Sequence, residues 1–164
     1  DWQYKKTGEH SLITSTFIPG TEDISEARAI RREVFIEEQH VPEEEEYDGF
    51  DEQALHLMVY VDEEPAATGR IWHDGAGFRI GRLAVRKKFR GQKIGDLALR
   101  LLVYKAFASG AEKIDISAQT YIMPLYRKFG FKEHGEEYME AGIPHMAMTL
   151  KKEDVVYPSA CGRQ

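Results

Sequence analysis

Between Phe78 and Ala118 the hydrophobic pattern changes period twice, and nothing else in the chain restricts the fold as much. Phe78 to Val85 reads as a strand that runs into a basic turn. Ile94, Leu97, Ala98, Leu101, Leu102 and Ala108 then mark a long amphipathic helix stopped by Gly110. Lys113 to Ala118 returns to alternation, with Ile114 and Ile116 on one side. Strand, helix and strand in that order make a crossover, which lays a helix over the face of a sheet.

The flanking segments extend that sheet. Leu12 to Ile18 alternates branched and polar residues and ends at the turn pair Pro19-Gly20. A helix follows with Thr21 or Asp23 as N-cap, its apolar positions Ile24, Ala27, Ile30, Val34 and Phe35 spaced for one buried face, and Pro42 ends it. Leu55 to Val61 and Ala66 to His73 predict a hairpin around Asp62-Glu-Glu-Pro65, and Asp74-Gly-Ala-Gly77 turns into the strand at Phe78. Tyr121 to Phe129 predicts a second helix over the sheet, ended by Gly130, and strands at about Phe131 to Glu137 and His145 to Lys151 close the chain. The expected fold is α/β (α+β): one domain over residues 11–152, with a mixed central sheet of about six to seven strands and helices on both faces. A flexible N-terminus (1–10) and a C-terminal tail (153–164), loose from Tyr157 on, are expected to flank it.

Composition narrows the function. At 164 residues the chain can bury a core without disulfide support, and its one cysteine, Cys161, has no intrachain partner, which fits a reducing compartment. A formal net charge of −6 argues against nucleic acid or anionic membrane as partner, since both demand phosphate neutralisation. No stretch reaches the roughly 18 apolar residues of a spanning helix, and the start lacks a signal-peptide core, so the expected location is the cytoplasm. The six histidines are scattered, so no metal site is expected. A homodimer is compatible with the sequence.

Against the acidic trend, Arg86, Lys87, Lys88, Arg90 and Lys93 crowd the turn that opens the long helix. A helix start presents N–H groups without intrahelical partners at the positive end of the dipole, which suits a pyrophosphate. Gly91 and Gly95 would let backbone approach such a ligand closely. The same residues are also compatible with a plain strand-to-helix turn carrying a solvated basic edge. The segment is not a P-loop, because GxxxxGK[ST] is absent.

Arg90-Gly-Gln-Lys-Ile-Gly95 after Leu83-Ala-Val85, with Leu125-Tyr-Arg-Lys-Phe-Gly-Phe131 about thirty residues on, resembles the GCN5-related N-acetyltransferase (GNAT) superfamily. Its signature is Arg/Gln-x-x-Gly-x-Gly/Ala; Arg90 and Gly95 match, and Lys93 stands at the middle glycine. Arg32 to Pro42, Ser117-Ala-Gln119 and Gly142-Ile-Pro-His145 resemble the bacterial ElaA/YjcF-like subgroup.

The resemblance implies acetyl-CoA as co-substrate and transfer to a primary amine by direct attack on the thioester. It implies pantetheine along Leu83, Ala84 and Val85, and pyrophosphate on the loop from Gln92 through Lys93, Ile94, Gly95 and Asp96, with Gly91 and Arg90 beside it. Gln119 would bond the pantetheine or cap its strand. Tyr126 would be the general acid to the CoA thiolate, since a phenol can share its proton as charge develops on sulfur. For the base, His145 is the candidate, with Glu38, Glu46 and His56 behind it. A small-molecule amine is the expected partner. Acetylation of a protein terminus or lysine, and a non-catalytic acyl-CoA-binding domain, are the alternatives. The acidic run Glu43 to Glu46 is read as a solvated face and Trp72 as a core residue.

Overall fold

A computed structural model of the chain describes residues 2–6 and 9–159, with side chains from Ser11 on. Cys161 lies outside the described residues. One eight-stranded sheet runs in the order β1-β2-β3-β4-β5-β6-β8-β7. Its strands are β1 (Trp2–Lys6), β2 (Glu9–Pro19), β3 (Leu55–Val61), β4 (Glu64–His73), β5 (Phe78–Val85), β6 (Lys113–Gln119), β7 (Lys132–Glu140) and β8 (Ile143–Lys151). Every neighbouring pair is antiparallel except β5 and β6, the two strands joined by the crossover helix. The count exceeds the expected six to seven because the first residues, read as loose, pair as β1 against β2 from Trp2↔Ile13 to Lys6↔Glu9.

Among the described residues there are four α-helices: α1 (Ser25–Arg31), α2 (Glu43–Glu46), α3 (Ile94–Ala108) and α4 (Met123–Lys128). The periodicity from Ile24 to Phe35 predicted one helix, but beyond Arg31 the chain widens into π-helical turns over Arg32–Glu38. The N-cap is Ile24, which makes no side-chain cap bond, rather than Thr21 or Asp23; Asp23 instead accepts from the Ser25 N–H at 2.9 Å, one residue outside the cap.

Two cores lie on opposite faces of the sheet. Ile24, Ala27, Ile30 and Val34 pack on Met58 and Ala84 on one face. On the other, α3 buries Ile94, Ala98, Leu99, Leu102, Val103, Ala106 and Phe107. That face is rotated from the stripe read in the sequence, so Leu97 and Leu101 flank it and Ala108 is exposed. α3 lies close on β4: a Cβ on Gly69 would stand 2.6 Å from Leu102 Cδ1, so glycine there lets the helix settle. The described part of the tail is tied down, against the frayed reading, by the Val156 N–H on Phe129 O at 2.9 Å and by the Arg100 guanidinium 5.7 Å above the Tyr157 ring.

Candidate active site

β5 and β6 pair only at Phe78↔Ile114 and Arg79↔Asp115, then part. From there each strand runs on without the other, β5 to Val85 and β6 to Gln119, leaving a wedge between them. β5 also carries a bulge: between the pairs Arg70↔Gly81 and Thr68↔Ala84 it advances three residues for two of β4. Arg82 absorbs the extra residue at φ +49°, in the left-handed region. A bulge leaves backbone groups outside the ladder, here on the strand that borders the wedge.

The wedge opens into a cavity of about 1130 Å³. Of the residues expected at the cofactor, Leu83, Ala84, Val85, Arg90, Gly91, Lys93, Ile94, Gly95, Asp96, Gln119 and Tyr126 line it, and so does His145. Gln92 does not. Its amide donates back to Lys88 O at 3.3 Å, and it lines a second cavity of about 450 Å³ beside α3 and the tail.

The start of α3 is built as an open cradle. Lys93 sits at φ +62°, a conformation that costs a non-glycine residue about 1–2 kcal/mol. No side chain caps the helix, and the Leu97 N–H is the one that bonds back to Lys93 O, so the N–H groups before it are left to whatever enters the cavity. Gly91 holds φ +77° with open space around it, so it serves the turn. At Gly95 a Cβ would point between β5 and α4, 3.6 Å from Val85 and 3.9 Å from Leu125, and would fill the cradle without striking the chain itself. Pyrophosphate and pantetheine fit this uncapped, glycine-floored start.

The basic crowd at the turn is mostly neutralised. Arg90 pairs with Glu38 at 2.7 Å and donates Nε to Val85 O at 2.9 Å, so it ties the π-helical segment to the end of β5. Arg86 holds Glu33 at 2.9 Å, and Lys88 holds Glu64 at 2.8 Å. The local positive charge is therefore smaller than the sequence suggested, because three acids from two distant segments fold onto it.

Tyr126 is 7% exposed, at ring distance 5.5 Å from Phe131, edge to face. Burial pushes its phenol well above the ordinary value, aided slightly by Tyr121. His145 is buried too. Its Nδ1 lies 2.7 Å from Ile143 O, and a carbonyl can only accept, so Nδ1 carries a proton. Nε2 faces the Glu140 carboxylate, 3.3 Å from Oε2. Gln119 donates to Gln39 Oε1 at 2.9 Å, bridging β6 to the end of the π-helical segment rather than capping its own strand. Of the other base candidates, Glu38 is held by Arg90, His56 is fully buried away from the cavity, and Glu46 is held by Arg31 at 2.6 Å.

The sequence did not reveal a buried ion network on the α1 side. Arg31 (1% exposed) binds Glu46 and Asp51, the latter at 2.7 Å. Arg70 (1% exposed) binds Asp51 at 2.9 Å and both oxygens of Asp48. Arg82 sends Nη2 to the carbonyls of Glu45 and Glu46. The acidic run divides: Glu43, Glu44 and Glu45 are the solvated face, whereas Glu46 is 2% exposed and links helix to sheet. Burial works against the charges on Asp48 and Asp51, but the Arg70 and Arg31 guanidinium groups outweigh it and hold both carboxyls below the usual range. A signal was present, since Arg70 interrupts an otherwise apolar strand. Trp72, read as core, lines the cavity, its ring 4.2 Å under the Arg70 guanidinium.

A sequence profile described as the acetyltransferase (GNAT) domain matches residues 20–152. YjcF of Bacillus subtilis, described as an uncharacterized N-acetyltransferase, is 38% identical over 130 residues, covering 77% of this chain and 91% of its own. The crystal structure of Escherichia coli ElaA superposes with a TM-score of 0.76 at 26% identity, covering 84% of this chain and 99% of that one. A GNAT family acetyltransferase from Elizabethkingia anophelis, solved with acetyl-CoA bound, shares the fold with a TM-score of 0.65 at 18% identity, over 85% of this chain and 97% of that one. Among the described residues no helix is long and apolar enough to cross a membrane, and no group of three metal-ligating side chains occurs.

Proposed function

We propose that this chain, which belongs to the GNAT acetyltransferase family, moves the acetyl group of acetyl-CoA to the primary amine of a small molecule. One observation carries the reading: a single cavity gathers the parted strand β5, the uncapped start of α3 and the buried Tyr126. Acetyl-CoA supplies an activated thioester; the rest is done by this chain. Leu83 to Val85 offers an unpaired strand edge to the amide-bearing pantetheine arm. The N–H groups of Ile94, Gly95 and Asp96 take the pyrophosphate, with Lys93 adding charge and Arg90 keeping the loop against β5. The family neighbour with acetyl-CoA bound supports this assignment by analogy of fold.

The amine must arrive at the thioester carbon unprotonated. His145 Nε2 accepts its proton, directly or through one water, and Glu140 then faces the imidazolium. Tyr126 stays protonated at any working pH because burial raises it, so it acts by donating a hydrogen bond to the sulfur as the thiolate forms. Full proton release from so weak an acid is unnecessary, since the thiolate of a group near pKa ~8.5 persists near neutrality with that support.

The test is a screen of primary amines with acetyl-CoA, with melting shifts measured in parallel. Tyr126→Phe should lower kcat about 10- to 100-fold and leave the acetyl-CoA melting shift intact. His145→Gln should lower kcat and leave the acetyl-CoA melting shift intact. If acetyl-CoA produces no melting shift in the native protein, the reading fails.

A further inference from the structure

Arg82 is the member of the buried network whose charge is not fully used. Its Nη2 is occupied by the carbonyls of Glu45 and Glu46, at 3.2 and 3.1 Å, and approaches Asp48 Oδ2 only at 3.5 Å. Its Nε lies 3.4 Å from Glu46 Oε1 without the geometry of a hydrogen bond, because that carboxylate is already taken bidentately by Arg31. Nη1 has no hydrogen-bond partner among the described residues, and the side chain, a quarter exposed, lines the cavity. Burial and the Arg70 charge both pull Arg82 below the ordinary guanidinium value, against Asp48 and Glu46. An arginine in that state remains charged and gains from any anion brought to it.

Its placement makes this more than an isolated imbalance. Arg82 is the bulged residue of β5, held at φ +49° between the strand positions that would carry pantetheine and the α1 side of the sheet. Arg82 lines the cavity together with the apolar residues Val34, Phe35, Val41 and Trp72 and with His145.

We propose that the acetyl acceptor carries a carboxylate beside its amine, that is, an apolar amino acid, and that Arg82 is the residue that reads the carboxylate. The assignment rests on the acetyltransferase reading above. The amine faces His145, the carboxylate takes Nη1 of Arg82, and the side chain lies against Phe35 and Trp72. Of the arginines that line the cavity, Arg70 is held by Asp48 and Asp51, Arg79 faces Asp74 and Arg90 is held by Glu38, which leaves Arg82 for a monoanion; a phosphate dianion would also meet the carboxylates of Glu45, Asp48 and Glu140. The acids that reject a dianion also favour the ammonium end of a zwitterion.

The native protein is assayed with acetyl-CoA against matched triplets: an apolar or aromatic amino acid, its methyl ester, and the amine left by removing the carboxylate. The expected kcat/KM of the free amino acid exceeds both partners by about 10- to 100-fold, mostly through KM, since a hydrogen bond to a charged group is at stake. In Arg82→Gln that preference collapses toward one, and Arg82→Lys restores part of it. The ester comparison uses native protein alone, so a folding defect in the variants cannot mimic or hide the result. If the decarboxylated amine or ester matches the amino acid, the proposal falls and the acetyltransferase reading stands. If phosphoethanolamine is the better acceptor, the carboxylate assignment falls. If acetyl-CoA binds and no primary amine is acetylated, both fall together.

Discussion

Asp51→Asn tests whether the buried network holds the α1 side of the molecule together. The substitution keeps the shape of the side chain and removes one negative charge. Asp51 Oδ1 accepts from Arg31 at 2.7 Å and from Arg70 at 2.9 Å, and both arginines are 1% exposed. Arg31 would keep Glu46, and Arg70 would keep Asp48, so neither cation is stranded altogether. Two charge-assisted bonds lose their charge on one side, and removing one partner of a buried ion pair costs about 3–5 kcal/mol. Unfolding entropy of about 2.1 cal/mol/K per residue over 164 residues is about 0.34 kcal/mol/K, so Tm should fall by about 9–15 °C. The measurement is thermal unfolding by circular dichroism from neutral pH down to about pH 3. Asp48 and Asp51 have folded pKa values below the unfolded ones. Their contribution is therefore complete above the unfolded carboxylate value near ~3.9 and is lost as pH falls through the folded values. The native curve should drop steeply in acid, and the Asp51→Asn curve should drop less, the two converging at low pH. A Tm within about 2 °C of native at neutral pH, or parallel acid limbs, would refute the reasoning.

Gly95→Ala adds a Cβ that meets only ordinary contacts with Val85 and Leu125, so the fold should hold and helix propensity should raise Tm slightly. The same atom fills the cradle, and acetyl-CoA affinity by calorimetry should fall at least about tenfold, a loss of roughly 1.4 kcal/mol. Lys93→Gly relieves a left-handed backbone that Lys93→Ala retains, so it should melt about 3 °C higher than the alanine variant, as about 1 kcal/mol requires. Because burial raises the Tyr126 phenol, the kcat profile should carry no limb from Tyr126 ionisation up to about pH 10, where an ordinary tyrosine titrates. A limb that appears below that value and vanishes in Tyr126→Phe would contradict the burial argument.

What could be read in the sequence, and what could not, follows the range of the forces involved. β3 and β5 have the bounds that alternation and turn residues predicted, because strand period and turn chemistry are local. The resemblance of Arg90 to Gly95 and of the Tyr126 phrase likewise pointed to residues that share one cavity, apart from Gln92. The bulge at Arg82 was hidden, since it exists as a mismatch of register between β4 and β5, and Gly81 beside it and Gly69 opposite mark a break without fixing its place. The ion network was hidden for the same reason. Glu46, Asp48 and Asp51 look like a hydrated run until Arg31, Arg70 and Arg82, from a helix and two strands, close over them. Pairings across such separations cost loop entropy that no local pattern records. The basic turn was overestimated by the same blindness, since Glu33, Glu38 and Glu64 reach it only in the folded chain. Local patterns thus pointed to where the thioester donor would lie, a place formed by one crossover and one helix start. The acceptor side, on the proposal made for Arg82, depends on contacts between distant segments, and no motif records those.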